Sequence, residues 1–334
     1  MSGPTQGDEG SLCRMSRLVG AFALLLPALA GAQTGPLEIR NGRFLNLPFL
    51  RPSPRGPVLS KGEKEWGLQF SLINDVRAAY GRDNVLRVTE DAEVAMLNLR
   101  YRQGLGHGLD ATLEIPVLSR GGGILDGFLD GYHRLLGLQG GVRRGLAYGR
   151  SEVVVNGRRF GSSTGIGDTT AALAWQATPR LMARASVKLP TGDANRLFGS
   201  GRTDLAADAI YKVPLGPRMD LWGQLGAVHQ GGSKALPGAI DWSHVASLTL
   251  EIRANTRDTY FGLWQSEDAA VGTGAAMSDE THRVVSLGYR RRMSNSSSLE
   301  AWFMEDGDFL NYKAKWFSNL GPDVVFGLGL RYRF

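Results

Sequence analysis

The sequence predicts an antiparallel transmembrane β-barrel of about twelve strands, within a range of ten to fourteen. Three observations carry this: a period-two alternation that recurs from Trp66 onward, connections that alternate long and short, and a last strand whose large apolar residues share one face while its glycines and arginines share the other. Hydrophobic residues make up 43% of the 334-residue chain and its mean hydropathy is −0.16, values that resemble a soluble protein. No internal run reaches the roughly 18 apolar residues of a spanning helix. A membrane barrel alternates outward apolar with inward polar residues, so its averages look soluble too.

The one continuous apolar run lies near the start, in "MSRLVGAFALLLPALAGAQ" from Met15. Arg17 supplies the positive region, Leu18 to Leu29 the apolar stretch, and Ala30-Gly31-Ala32 the small-residue cleavage signal of an exported protein. Residues 1–32 are therefore expected to be upstream residues and a cleaved signal peptide, with Met15 the expected start. Cleavage removes Cys13, the only cysteine, so no disulfide is expected in an oxidising compartment. The net charge of +6 is scattered singly along strands, without a patch or motif for nucleic acid, and nucleic-acid binding is discounted.

Residues 33–65, rich in Pro and Arg, precede the first strand. They read either as a periplasmic extension or as a segment tucked into the lumen. The barrel itself is expected over 66–334, with strands at 66–74, 93–103, 107–118, 167–178, 180–190, 203–213, 218–229, 243–254, 257–267, 281–292, 296–305 and 323–334. Across 181–189, for example, Leu181, Ala183, Ala185, Val187 and Leu189 oppose Met182, Arg184, Ser186 and Lys188. Each segment has roughly the 9–11 residues a tilted strand needs to cross a bilayer.

Counted back from the C-terminus, the connections alternate. The long ones are 306–322, 268–280, 230–242, 191–202, 119–166 and 75–92, and the short ones fall near 293–295, 255–256, 214–217, 179 and 104–106. Outer-membrane barrels have short periplasmic turns and long external loops, so twelve strands place both termini in the periplasm. The stretch 308–318 is the one place where a further strand would fit. Loop 119–166 carries structure of its own. Leu125, Phe128, Leu129, Tyr132 and Leu136 recur at helical spacing and predict a short amphipathic helix. Asn156-Gly157 between two short apolar runs predicts a type I′ hairpin. This loop is expected to cover or enter the barrel mouth.

No catalytic, cofactor-binding or metal-binding residue is expected. His107, His133, His229, His244 and His282 are isolated, with no two at ligand spacing. Asp130 and His133 lie on adjacent helical turns, but no nucleophile elbow accompanies them, and a helix-surface hydrogen bond is the favoured reading. "KLPTGDANRLFGSGRTD" lacks the spacing and the Lys-Ser/Thr of a phosphate-binding loop. Asp193 and Asp204, at opposite strand ends, are a weak candidate pair for a cation. By parity, Arg100, Arg102, Glu114, Arg184, Lys188, Glu251, Arg253, Arg290, Arg331 and Arg333 face the lumen. Eight basic and two acidic groups favour anions if a water path exists. The same residues can instead interlock as a packed polar core that closes the pore, and the sequence leaves both open.

Several stretches resemble a known family: "GGGILDGFLDGYHRLLGLQGGVR", "TGIGDTTAALAWQ", "VKLPTGDANRLFGSGRTD" and "GPDVVFGLGLRYRF". They are similar to Gram-negative outer-membrane barrels catalogued as domain of unknown function 3187, and more distantly to putative outer-membrane proteins of phenol meta-pathway operons. The resemblance runs from about residue 36 to the end, and Phe128, His133, Gly137 and Arg143 are its most specific part. The basic "GVRRGLAYGR" departs from the family pattern. The resemblance implies location and fold without an activity. It also implies that the terminal aromatic, Phe334, is part of the signal read by the outer-membrane assembly machinery.

The resulting expectation is a monomer in outer-membrane lipid that acts as a channel or facilitator for small apolar or anionic solutes of unknown identity. The alternatives are a closed structural or surface-interaction barrel with a plugged lumen and, more distantly, an outer-membrane hydrolase.

Overall fold

The alternation read from the sequence closes into a ring. The computed structural model describes residues 34–135, 148–306 and 324–334, with no side-chain description for Asp130, Tyr132, His133 and Arg134. Twelve antiparallel strands form the barrel. They are β1 (Lys64–Tyr80), β2 (Leu86–Gly106), β3 (Leu109–Gly121), β7 (Thr169–Gln176), β8 (Leu181–Leu189), β9 (Asp204–Gly216), β10 (Met219–His229), β11 (Trp242–Arg253), β12 (Asp258–Glu267), β13 (His282–Arg292), β14 (Ser297–Asp306) and β15 (Val324–Arg333). Neighbours in sequence pair throughout. The ring closes where β1 meets β15, in register from Glu65 opposite Arg333 to Asn74 opposite Val324. Phe334 extends this seam, since Lys64 and Phe334 exchange backbone hydrogen bonds of 2.8 and 2.9 Å. The expected signal peptide, within residues 1–32, and the stretch 308–318 lie outside the described residues.

The membrane-spanning parts of the strands show the inverted burial of a membrane barrel. Along β11, Ser243, Ser247, Thr249 and Glu251 are buried, whereas Trp242, Leu248 and Ile252 are exposed. Polar groups line the inside and apolar groups the outside, the reverse of a soluble core. Near the short-turn end the exterior carries an aromatic girdle. Trp66 and Tyr101 lie 4.8 Å apart between ring centroids, Tyr260 and Tyr289 5.4 Å, and Tyr332 and Phe334 5.7 Å. Such rings mark the membrane–water interface.

The short connections are tight turns. Between β2 and β3 only His107 and Gly108 intervene, both at positive φ (53° and 72°). The long connections fold over the opposite end. There β4 (Glu152–Val155) and β5 (Arg158–Phe160) form the hairpin expected at Asn156-Gly157, whose φ values of 47° and 81° suit a type I′ turn. β4 continues the sheet beside the top of β2, and β6 (Ser163–Ile166) pairs with the top of β3.

Two features differ from the sequence reading. The expected loop 75–92 is mostly strand, because β1 and β2 continue past the membrane as a paired ribbon to Tyr80 and from Leu86. Its residues read as loop because Asp75, Arg77, Glu90 and Asp91 place charge on both faces. Outside the bilayer, neither face needs to be apolar.

The second difference lies within loop 119–166: its hairpin joins the lumenal cluster through Val153 and Phe160, as a loop at the mouth should, whereas the helix α1 (Asp126–Leu135) stands outside it. Leu125 and Leu129 pack on Val324, Leu72, Phe303 and Phe326, all on the outward faces of β15, β1 and β14. The helix thus lies against the outer wall, across the seam.

Candidate functional site: a lumen filled by the chain's own segment

Residues 34–60 run inside the ring as a U. Of the two placements the sequence allowed for this stretch, the contacts are those of the lumenal one. It enters at the short-turn end, where Arg290 Nη1 donates to Gly35 O (2.8 Å) and Nη2 to Pro36 O (3.2 Å). It climbs past Gln265, which donates to Ile39 O, and turns at the far end through a short 3-10 helix, Phe44–Asn46. There Arg43 donates to Ser278 O (2.6 Å) and Phe44 N donates to Asp75 (3.1 Å). The segment descends past Asp204 (from Leu50 N, 2.9 Å), Arg184 (to Ser53 O, 2.7 Å) and Asp110 (from Leu59 N, 3.0 Å) into β1. Prolines interrupt any ladder, so side chains of the wall satisfy its buried backbone groups instead.

At the far end apolar side chains gather around the turn of the segment, beside buried ion pairs of Arg77 with Asp75 and Glu90, of Arg51 with Glu267 and of Lys188 with Asp204. Phe44, Leu45 and Phe49 of the segment join Leu118, Val153, Phe160, Phe198, Leu236 and Val271 in one buried cluster. The half near the short turns is ionic. Glu38 sits among three wall arginines: Arg100 (2.7 Å), Arg331 (3.0 Å) and Arg102 (3.3 Å). Each of the three also holds a carboxylate of the wall. Arg100 pairs with Glu114 (2.5 Å), Arg331 with Glu300 (3.0 Å), and Arg102 with Asp110 (2.9 Å) and Glu65 (3.3 Å). Arg55 of the segment shares Asp110 (2.7 Å), Arg290 shares Glu300 (2.7 Å) and Arg333 shares Glu65 (3.0 Å).

The ten residues assigned inward by parity all lie on the inner face, in three places. Arg100, Arg102, Glu114, Arg290, Arg331 and Arg333 meet in the network just described. Arg184 and Lys188 stand apart on β8, the first paired with Asp208 (2.8 Å) and the second with Asp168 (2.5 Å) and Asp204 (3.3 Å). Glu251 and Arg253 sit at the short-turn end of β11, beside Asp220.

The anion-favouring excess of eight bases over two acids does not survive. On the wall itself Glu65, Asp75, Glu90, Asp110, Asp204, Asp208, Asp220, Glu267 and Glu300 share the same inner faces and match its bases, while the segment brings Glu38 together with Arg40, Arg43, Arg51 and Arg55. The wall acids obey the same parity as the arginines and were legible by it. Glu38 lies in a stretch with no periodicity, so no pattern pointed to it.

Asp193 and Asp204 are not a cation site. Asp193 caps the 3-10 helix Ala194–Arg196, whereas Asp204 is buried against Lys188 and Leu50 N. No group of three or more metal-ligating side chains is found among the described residues. The side chains of Asp130 and His133 lie outside the described ones.

A cavity of about 60 Å³ lies between the segment and the wall, enough for a few waters. Arg40, Arg51, Arg55, Arg100 and Arg184 line it together with Glu38 and Glu114. Arg40 donates to the carbonyls of Asn46, Leu47 and Phe49, at 3.2 to 3.4 Å.

The family model described as "Protein of unknown function (DUF3187)" matches residues 14–334. The chain belongs to this family. Among solved structures, the COG4313 outer membrane channel from Pseudomonas putida F1 aligns over 83% of this chain and 97% of its own, with a TM-score of 0.53 and 16% identity. The translocator domain of the autotransporter NalP from Neisseria meningitidis aligns over 83% and 90%, with a TM-score of 0.46 and 13% identity. The CymD monoaromatic hydrocarbon channel aligns over 83% and 89%, at 0.42 and 11%. At these identities the likeness is one of fold. The chain matches no curated protein sequence. With its apolar belt and aromatic girdle, this member of the family is an outer-membrane β-barrel.

Proposed function

We propose that the protein is a channel or facilitator for small solutes, held closed in this state by residues 34–60 and opened by their displacement. One observation carries the reading. Every arginine that grips Glu38 keeps a wall carboxylate of its own. Withdrawing the segment therefore leaves no wall arginine of this group as an isolated charge, the situation that makes breaking a buried pair cost about 3–5 kcal/mol. The wall behind the segment is polar and would take up water. The solved structure of like fold described as an outer membrane channel agrees with the reading.

Apolar side chains and paired charges both face the lumen, which fits small solutes, apolar or anionic, with no net preference for anions. Liposome swelling tests this. Vesicles holding the purified protein should admit small neutral and anionic solutes faster than empty vesicles, and faster again once residues 34–60 are deleted.

A second reading is favoured by the apolar packing of Phe44, Leu45 and Phe49, which seals the lumen. In it the barrel is permanently closed and acts in structure or surface interaction. It predicts no swelling above empty vesicles for the intact protein under any condition.

A further inference from the structure

The helix on the outer wall has two apolar flanks, and the barrel covers one of them. Leu125 and Leu129 are buried against the seam. Beside them, Ile124 is 76%, Phe128 50% and Leu135 83% exposed. Successive helical residues turn by about 100°, so Phe128 and Leu135 fall about 20° apart and form one stripe.

That stripe is continuous with the lipid-facing wall. The Phe128 ring meets Phe326 edge to face, with centroids 5.5 Å apart at 74°. Phe326 leads along the outward face of β15 to Leu328 and Leu330, both exposed. The start of the helix is fixed at this height. The Glu93 carboxylate, on the outward face of β2, accepts from Ile124 N (3.1 Å) and Leu125 N (2.9 Å), a negative charge at a helix N-terminus. Gly123 is required there: at φ +67°, an added Cβ would lie 2.1 Å from the Glu93 carboxyl carbon.

We infer that α1 lies in the outer leaflet of the membrane, with Ile124, Phe128 and Leu135 seated at the boundary between acyl chains and headgroups. Amphipathic helices bind lipid in this way, in proportion to the apolar area they bury. Here the lipid also presses Leu125 and Leu129 onto β14, β15 and β1, so the helix acts as a strap across the closure of the barrel. The inference does not depend on whether the lumen conducts.

Spin-label accessibility tests it. Single cysteines replace Phe128 or Leu135 in the full chain carrying Cys13→Ser, reconstituted in dimyristoylphosphatidylcholine vesicles. Leu287→Cys, on the outward face of β13, gives the lipid standard, and Lys61→Cys, exposed before β1, gives the aqueous standard. Labels at 128 and 135 should match 287: accessible to oxygen and shielded from a water-soluble nickel complex. Nickel accessibility like that at 61 would overturn the inference. Shielding from both reagents would overturn it too, because protein rather than lipid would then cover the stripe. Leu135, which packs on nothing described in the barrel, keeps the test available if Phe128→Cys fails to fold.

Discussion

Glu38 Oε2 lies 2.7 Å from Arg100 Nη1, a contact between the chain's own lumenal segment and the wall it fills. Arg331 and Arg102 hold the other oxygen of the same carboxylate, at 3.0 and 3.3 Å. One side chain thus ties the rising arm of the segment to β2 and β15, and the account of closure hangs on it.

Glu38→Gln should loosen the segment without unfolding the barrel. The amide keeps the shape but loses a charge facing three arginines, each of which retains a wall carboxylate. Loss of a buried charged hydrogen bond costs about 1.5–3 kcal/mol, or roughly a ten- to hundredfold rise in the open population. Swelling rates of reconstituted vesicles read this directly. Unchanged rates at intact fold would show that Glu38 is not the tether.

Gly288→Val tests the same closure by shape alone. A Cβ at Gly288 would lie 2.1 Å from Leu37 Cδ1, so β13 keeps a slot for the segment there. Overpacking of this kind costs about 1–3 kcal/mol, and Leu37 is more easily displaced than a strand of the ring. Raised permeability with an unchanged heat-stable barrel on gels is the expected outcome, although every ion pair remains available.

Ala185→Arg and Leu287→Arg test the face assignment. Both positions point outward near the middle of their strands, and Leu287 is 65% exposed. Arginine on the lipid face at midplane costs about 2–4 kcal/mol. Folding into vesicles from urea should shift by that amount, whereas Ser286→Ala, on the opposite face, should shift little.

Deletion of Phe334 should impair assembly before it impairs anything else. The residue exchanges two backbone hydrogen bonds with Lys64 and closes the girdle against Tyr332. The fraction of heat-modifiable barrel recovered in outer membranes should fall several-fold. The molecules that do assemble should match the intact protein in permeability.

Much of this fold was legible in the sequence because a lipid-facing strand has few choices. Leu287 must be apolar and Ser286 need not be, so alternation, strand count and loop parity follow from the residues themselves. The Asn156-Gly157 turn was legible for a similar reason, since few other pairs take positive φ twice. The ribbon at 75–92 was hidden by Asp75 and Asp91, charges on opposite faces of strands that have left the membrane. The helix was visible by its period, but its position was not, because the residues that seat it, Phe326 and Glu93, are far away in sequence. The lumenal segment was hardest to place. Its backbone is irregular, and its binding partners are side chains such as Arg290 and Asp110, whose reach no local pattern encodes.

The central claim is that residues 34–60 close a lumen that would otherwise conduct. Single-channel recording in planar bilayers tests it most directly, comparing the intact protein with a variant lacking 34–60 that still shows a folded, heat-modifiable barrel. The account predicts rare or brief openings for the intact protein and sustained ionic current for the variant. A folded variant that carries no current would contradict it.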